Sequence, residues 1–147
     1  MKKIIIILVL ILILIEALYS FAINKSPLIL STYQKENSDI TIFEIKTDKN
    51  IYDQNDKYMR ITIYNNSDDD IATGHGYVFE IRMNNKWYDI YMDYFVILSY
   101  LGIGSSEKHY SYFYFDDVSY KFVPGYEYRL IKEIDNYIIV SNIFKFE

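Results

Sequence analysis

The chain has no cysteine, which excludes a disulfide framework, a thiolate zinc cage, thiol catalysis and a lipid-modified cysteine as a membrane anchor. Arginine occurs only as Arg60, Arg82 and Arg129, and 15 Lys and Arg face 20 Asp and Glu, for a formal net charge of -5. That balance argues against a nucleic-acid partner, whose phosphates require a clustered basic face. Alanine is confined to Ala17, Ala22 and Ala72, and there are 5 Gly and 2 Pro, so the best helix former is nearly absent. Only two histidines, His75 and His109, are available for acid–base chemistry. What is abundant is aromatic: 17 Tyr and 9 Phe in 147 residues, side chains that pack well on a pleated sheet. With 51% hydrophobic residues, the length and composition are those of one globular domain plus flanking segments.

Residues 1–22 read as a targeting segment. Lys2 and Lys3 form a positive n-region, an unbroken apolar run covers 4–15, and Ser20-Phe21-Ala22 offers small residues where a signal peptidase inspects the chain. Residues 4–23 also make 20 positions with Glu16 as the single charge, enough for an uncleaved N-terminal membrane anchor. Either outcome predicts export, on the extracellular face of the membrane or secreted, with Lys2 and Lys3 staying inside. Loss of Lys2, Lys3 and Glu16 leaves 13 basic against 19 acidic residues, a net of -6 that does not favour adhesion to anionic lipid. Residues 23–39 turn polar and read as a tether to a domain at 40–147.

From Ile40 onward short alternating runs recur between turn signals. Met59, Ile61 and Ile63 share one face of a strand, with Tyr58, Arg60, Thr62 and Tyr64 on the other. Tyr77, Phe79, Ile81 and Met83 alternate with Val78, Glu80 and Arg82, and Asn84-Asn85 then predicts a hairpin into Lys86-Trp87-Tyr88. Residues 94–101 are apolar apart from Ser99 and fit a buried strand or a helical turn equally. Alternation resumes at 108–115 and at 125–134, and Asp135-Asn136 turns the chain into 137–146. About seven short strands predict an all-β, antiparallel sandwich.

Four pieces, taken in order, give the sequence a family resemblance. They are Tyr58 through Ser67, Thr73-Gly74-His75-Gly76-Tyr77-Val78-Phe79-Glu80 leading to Trp87, Pro124-Gly125-Tyr126-Glu127-Tyr128-Arg129-Leu130, and Ile143-Phe144-Lys145-Phe146. This series resembles the bacterial immunoglobulin-like domains of exported and surface proteins of low-GC Gram-positive bacteria. The resemblance covers about 40–147. It implies an immunoglobulin-like β-sandwich serving as a structural or adhesive module, commonly without catalysis.

Under that expectation Trp87 is a core or core-edge anchor, with ligand stacking as the other reading. Tyr128 is a corner tyrosine tied to nearby backbone, and Pro124, Gly125 and Phe144 complete the structural set. Tyr110, Tyr112 and Tyr114 share one face, which is either a recognition stripe or the core face. Glu80 and Arg82 are expected on a solvated sheet face, paired with cross-strand neighbours. Asp68-Asp69-Asp70 supplies oxygens of the type calcium takes, but the EF-hand spacing is absent and a solvated acidic turn is the expectation. Ser105, His109 and Asp116 could be combined as a catalytic set, but no Gly-x-Ser-x-Gly elbow supports them. No enzyme and no cofactor are therefore expected. The expected partner is a protein or glycan at the cell envelope, the membrane being reached only through 1–22. The alternative role is an inhibitor or immunity-type protein that binds an exported enzyme.

Overall fold

The computed structural model describes residues 28–92 and 100–147. The signal or anchor segment 1–22, residues 23–27 and most of the apolar run 94–101 lie outside the described residues. Among the described residues, no helix is long and apolar enough to cross a membrane.

The first sheet has five strands in the order β1 (Leu28–Leu30), β7 (Lys86–Ile90), β6 (Val78–Met83), β10 (Glu127–Ile134) and β11 (Tyr137–Val140), all antiparallel. Opposite it, β2 (Phe43–Thr47), β4 (Tyr58–Asn65) and β9 (Lys108–Tyr114) form an antiparallel three-stranded sheet. Two small ladders complete the fold: β5 (Ile71–Gly74) with β8 (Tyr100–Ile103), and a parallel pairing of β3 (Ile51–Tyr52) with β12 (Lys145–Phe146).

Period-two patterning sets which side chains meet between the sheets. Phe43, Ile45, Met59, Ile61 and Ile63 enter from one side, and Phe79, Ile81, Ile90, Tyr128, Leu130 and Ile139 from the other, all buried in one cluster. Two tight turns fix this register. Asn84 (φ 50°) with Asn85 (φ 60°), and Asp135 (φ 49°) with Asn136 (φ 69°), take the left-handed backbone that matches the twist of a two-residue hairpin.

Aromatic rings close one end of the sandwich. Phe122 stacks on Phe146 at 4.6 Å between ring centres, and Tyr128 stacks on Phe144 at 5.9 Å. Gly125 (φ 83°) turns the chain there, directly after Pro124. The Tyr128 hydroxyl accepts from Val123 N–H (2.8 Å) and donates to Val123 C=O (3.1 Å), the geometry of a tyrosine corner. Removing that hydroxyl leaves both Val123 groups without it, so Tyr128→Phe is expected to cost about 1–2 kcal/mol in denaturant unfolding, with an unchanged slope.

The outer face of the five-stranded sheet requires a correction. Residues 28–39, expected as part of a tether, belong to the domain. β1 pairs with β7, the Ser31 N–H donates to Trp87 C=O at 3.0 Å, and Asp39 N–H donates to Ile138 C=O at 3.0 Å. The side-chain amide of Gln34 continues the pairing, donating to Trp87 C=O (2.9 Å) and accepting from Trp87 N–H (3.0 Å). This cover explains a second correction: Glu80, expected on a solvated face, is buried, and its partner is the equally buried Arg129 directly across the strands. Arg82 does pair across strands, with Glu127 at 3.2 Å, and also with Glu36 at 3.1 Å from the covering segment.

Candidate functional site

The exposed face of the three-stranded sheet is built by the residues that alternate with its core side chains. On β9, Ser111 and Phe113 turn inward while Tyr110, Tyr112 and Tyr114 turn outward, 44%, 54% and 49% exposed. On β4, Met59, Ile61 and Ile63 enter the core, which leaves Tyr58, Arg60 and Tyr64 outside. The register sets Tyr58 opposite Tyr114, Arg60 opposite Tyr112 and Tyr64 opposite Lys108, while β2 adds Glu44 opposite Tyr64 and Lys46 opposite the buried Thr62.

Within this grid Tyr58 meets Tyr112 edge-on at 5.5 Å and Tyr114 at 6.0 Å. Two cations flank the Tyr110 ring, Arg60 at 5.5 Å and Lys108 at 5.4 Å. The Tyr110 hydroxyl, hydrogen-bonded to Lys108, holds that ammonium above the usual lysine range. Lys46 lies over Tyr64 at 5.4 Å and is neutralised by Glu44 at 2.8 Å. Among the described residues, no carboxylate forms an ion pair with Arg60 or Lys108. Tyrosine supplies large contact area with few rotors and a hydroxyl at its tip, so this arrangement can stack on a ligand and hydrogen-bond it together. Sequence reasoning singled out the β9 tyrosines and missed Tyr58, Arg60 and Lys108. The signal for these was the same alternation, read jointly on two paired strands.

Trp87 stands on the other outer face. It is buried under residues 31–35, with the Arg129 guanidinium 4.1 Å and the Arg82 guanidinium 5.6 Å from the ring centre. Arg129 donates to Glu80 and to the Lys35 carbonyl, and donates to the Tyr33 carbonyl at 2.7 Å. Burial pushes the Glu80 carboxyl up, opposed by the Ser31 hydroxyl and the Arg129 guanidinium. This is a clamp on the N-terminal segment. A cavity of about 530 Å³ opens beside it, lined by Tyr33, Gly74, Val78, Glu80, Ile131 and Lys132 among others.

Lys132 lies on the inward side of β10 and is buried with no carboxylate ion-paired to it among the described residues, donating to the carbonyls of Gly74 and Gly76 (2.9 Å to the latter) above the Tyr77 ring. Desolvation lowers its pKa to about 8. His109 is lowered by burial and by the neighbouring charges of His75 and Lys132.

The catalytic combination does not assemble. The Ser105 hydroxyl donates to Ser67 C=O, and Asp116 pairs with Lys57 beyond the far end of β9, about 20 Å along the strand from His109. In the acidic turn, Asp70 accepts from Ser105 N–H at 2.8 Å, and the buried Asn65 amide holds the loop by donating to the carbonyls of Asp69, Ile103 and Gly104. Among the described residues, no group of three His, Asp or Glu side chains could hold a metal ion. Millimolar calcium is therefore expected to leave the Tm of the chain unchanged in a thermal melt, since Asp68, Asp69 and Asp70 do not converge on one ion.

Two facing antiparallel sheets with a tyrosine corner define an all-β sandwich of immunoglobulin-like class. The family model described as "Bacterial Ig-like domain" matches residues 39–144, and the chain belongs to that family. No curated protein and no solved structure matches it.

Proposed function

We propose that this chain is an exported, noncatalytic immunoglobulin-like module, secreted or held by its N-terminal segment, that presents the tyrosine face of β2, β4 and β9 to a partner at the cell envelope. The observation that carries this reading is the concentration, on one sheet face, of half-exposed tyrosines and of two cations with no ion-paired carboxylate among the described residues. Aromatic side chains that could have been buried are held at the surface, which is the composition of recognition surfaces. Export is supported by the pattern of residues 1–22 and by the family, bacterial immunoglobulin-like domains being typical of surface or exported proteins.

Two measurements test it. Protease treatment of intact cells is expected to degrade the chain, and terminal sequencing of untreated cells is expected to find either Ile23 or an uncut chain in the membrane fraction. Recovery of the full-length protein in the cytosol, protected from protease, would overturn export. Binding of the labelled chain to isolated envelopes is expected to fall at least tenfold for Tyr58→Ser/Tyr112→Ser, with cooperative unfolding retained and the Tm lowered by only several degrees through loss of the edge-on ring contact. Equal binding by that variant would remove the face from the function.

A further inference from the structure

Resting on the reading of this face as a recognition surface, we infer that its ligand is an anionic polysaccharide, with sugar rings stacked on Tyr58, Tyr112 and Tyr114 and acidic groups held by Arg60 and Lys108. The first argument is charge. The chain is acidic overall, at -5, yet this face sets Lys46, Arg60 and Lys108 against Glu44, which is spent on Lys46, and Asp48, whose carboxylate accepts from the Arg60 backbone N–H at 3.0 Å and from the Tyr52 hydroxyl at 2.8 Å. Arg60 and Lys108 converge on one ring with no carboxylate ion-paired to either among the described residues, so each keeps its charge for an incoming anion. A guanidinium suits a planar carboxylate bidentately, and an ammonium suits any compact anion.

The second argument is the shape and chemistry of the tyrosines. Tyr110, Tyr112 and Tyr114 stand two residues apart, so the row extends about 13 Å along β9 and fits an extended, repeating polymer better than a single small ion. The electron-rich ring face attracts the C–H face of a sugar, and the hydroxyls at the ring tips match those of the polymer.

The third argument is what the face withholds. β4 is hydrogen-bonded on both sides, by β2 and β9, so a strand edge exists only at the outer sides of β2 and β9, away from Arg60 at the centre of the face, and a peptide added there would not lie across the Tyr58, Arg60 and Tyr112 cluster. Among the described residues, Arg60 and Lys108 are the cations of this face with no carboxylate ion pair, and two such charges do not make the basic groove a nucleic acid requires.

The test uses the full chain in detergent micelles, titrated by calorimetry against polygalacturonate, neutral dextran, polyglutamate and an oligothymidylate. Polygalacturonate is expected to bind, more weakly as salt rises, and Arg60→Gln/Lys108→Gln to weaken it at least tenfold without moving the Tm. Dextran is expected to bind at least tenfold more weakly than polygalacturonate. Polyglutamate or oligothymidylate binding as tightly as polygalacturonate would overturn the polysaccharide assignment in favour of an acidic peptide or single-stranded nucleic acid. Dextran binding equally would overturn the role of charge. Failure to bind polygalacturonate while envelopes are still bound through Tyr58 and Tyr112 overturns the ligand class and leaves the surface standing. Failure with both overturns the recognition surface as well.

Discussion

Arg129→Leu is expected to destabilise the folded chain by about 3–5 kcal/mol, the range for removing one partner of a buried ion pair. Arg129 is fully buried, and its guanidinium serves Glu80, the Tyr33 and Lys35 carbonyls and the Trp87 ring together. Without it, Glu80 must take up a proton or remain an uncompensated charge, and two carbonyls of the covering segment lose their donor. Two readouts separate this account from generic loss of packing. Glu80→Gln added to Arg129→Leu is expected to recover part of the loss, because it removes the stranded charge. The segment itself is expected to lift, so that the amide of Ser31, bonded to Trp87, exchanges faster and trypsin cuts after Lys35 under native conditions. An unfolding free energy within about 1 kcal/mol of wild type, with no new cleavage, would show that the clamp does not hold the segment.

Alternation made the core faces of β4, β6 and β9 legible, because a side-chain period of two assigns every residue of a strand to one side. The hairpin turns were legible for a related reason: Asn84-Asn85 and Asp135-Asn136 are among the few residue pairs that accept positive φ. The state of the outer face could not be read this way. Glu80 and Arg129 are polar and point away from the main core, and their burial depends on Tyr33 and Lys35, which lie 47 and 94 residues distant from Glu80 and Arg129 respectively. Strands as short as β3 and β12 carry no periodicity, and their parallel pairing joins Ile51 to Lys145. The tyrosine stripe of β9 was ambiguous on its own strand, since Phe113 and Phe115 alternate with it. The pairing with β4 resolves the ambiguity, because Ile61 and Ile63 commit that sheet's other face to the core. Lys132 was in principle legible, standing in register with Tyr128, Leu130 and Ile134 on the inward side of β10.

That inward lysine makes the stability of the chain rise with pH above neutrality. The pKa of Lys132 is lowered by burial to about 8 from the ordinary lysine value of 10.5. Below pH 8 both folded and unfolded chains hold the proton, and folding carries the full penalty of burying the charge, about 3 kcal/mol. Between 8 and 10.5 the folded chain has released a proton that the unfolded chain retains, so stability grows with pH. From pH 7 to 9.5 this contributes about 2 kcal/mol. Buried tyrosines impose the upper limit. Desolvation raises Tyr52, Tyr120 and Tyr128, Tyr120 to about 12, so above pH 10 the unfolded chain ionises these phenols while the folded chain cannot, and stability falls. The neighbouring His109 does not mimic the effect, since burial lowers its pKa further to the acid side of neutrality, and no carboxylate is ion-paired to Lys132 among the described residues. Denaturant unfolding across pH 7–11 is thus expected to show a maximum between pH 9 and 10. Lys132→Met keeps the aliphatic stem, relieves the charge penalty and strands the Gly74 and Gly76 carbonyls. These effects oppose each other at pH 7, where the variant is expected within about 1 kcal/mol of wild type, and the rise toward pH 9.5 is expected to vanish. Parallel pH profiles for the two proteins would mean that the amine is charged in the folded state throughout this range.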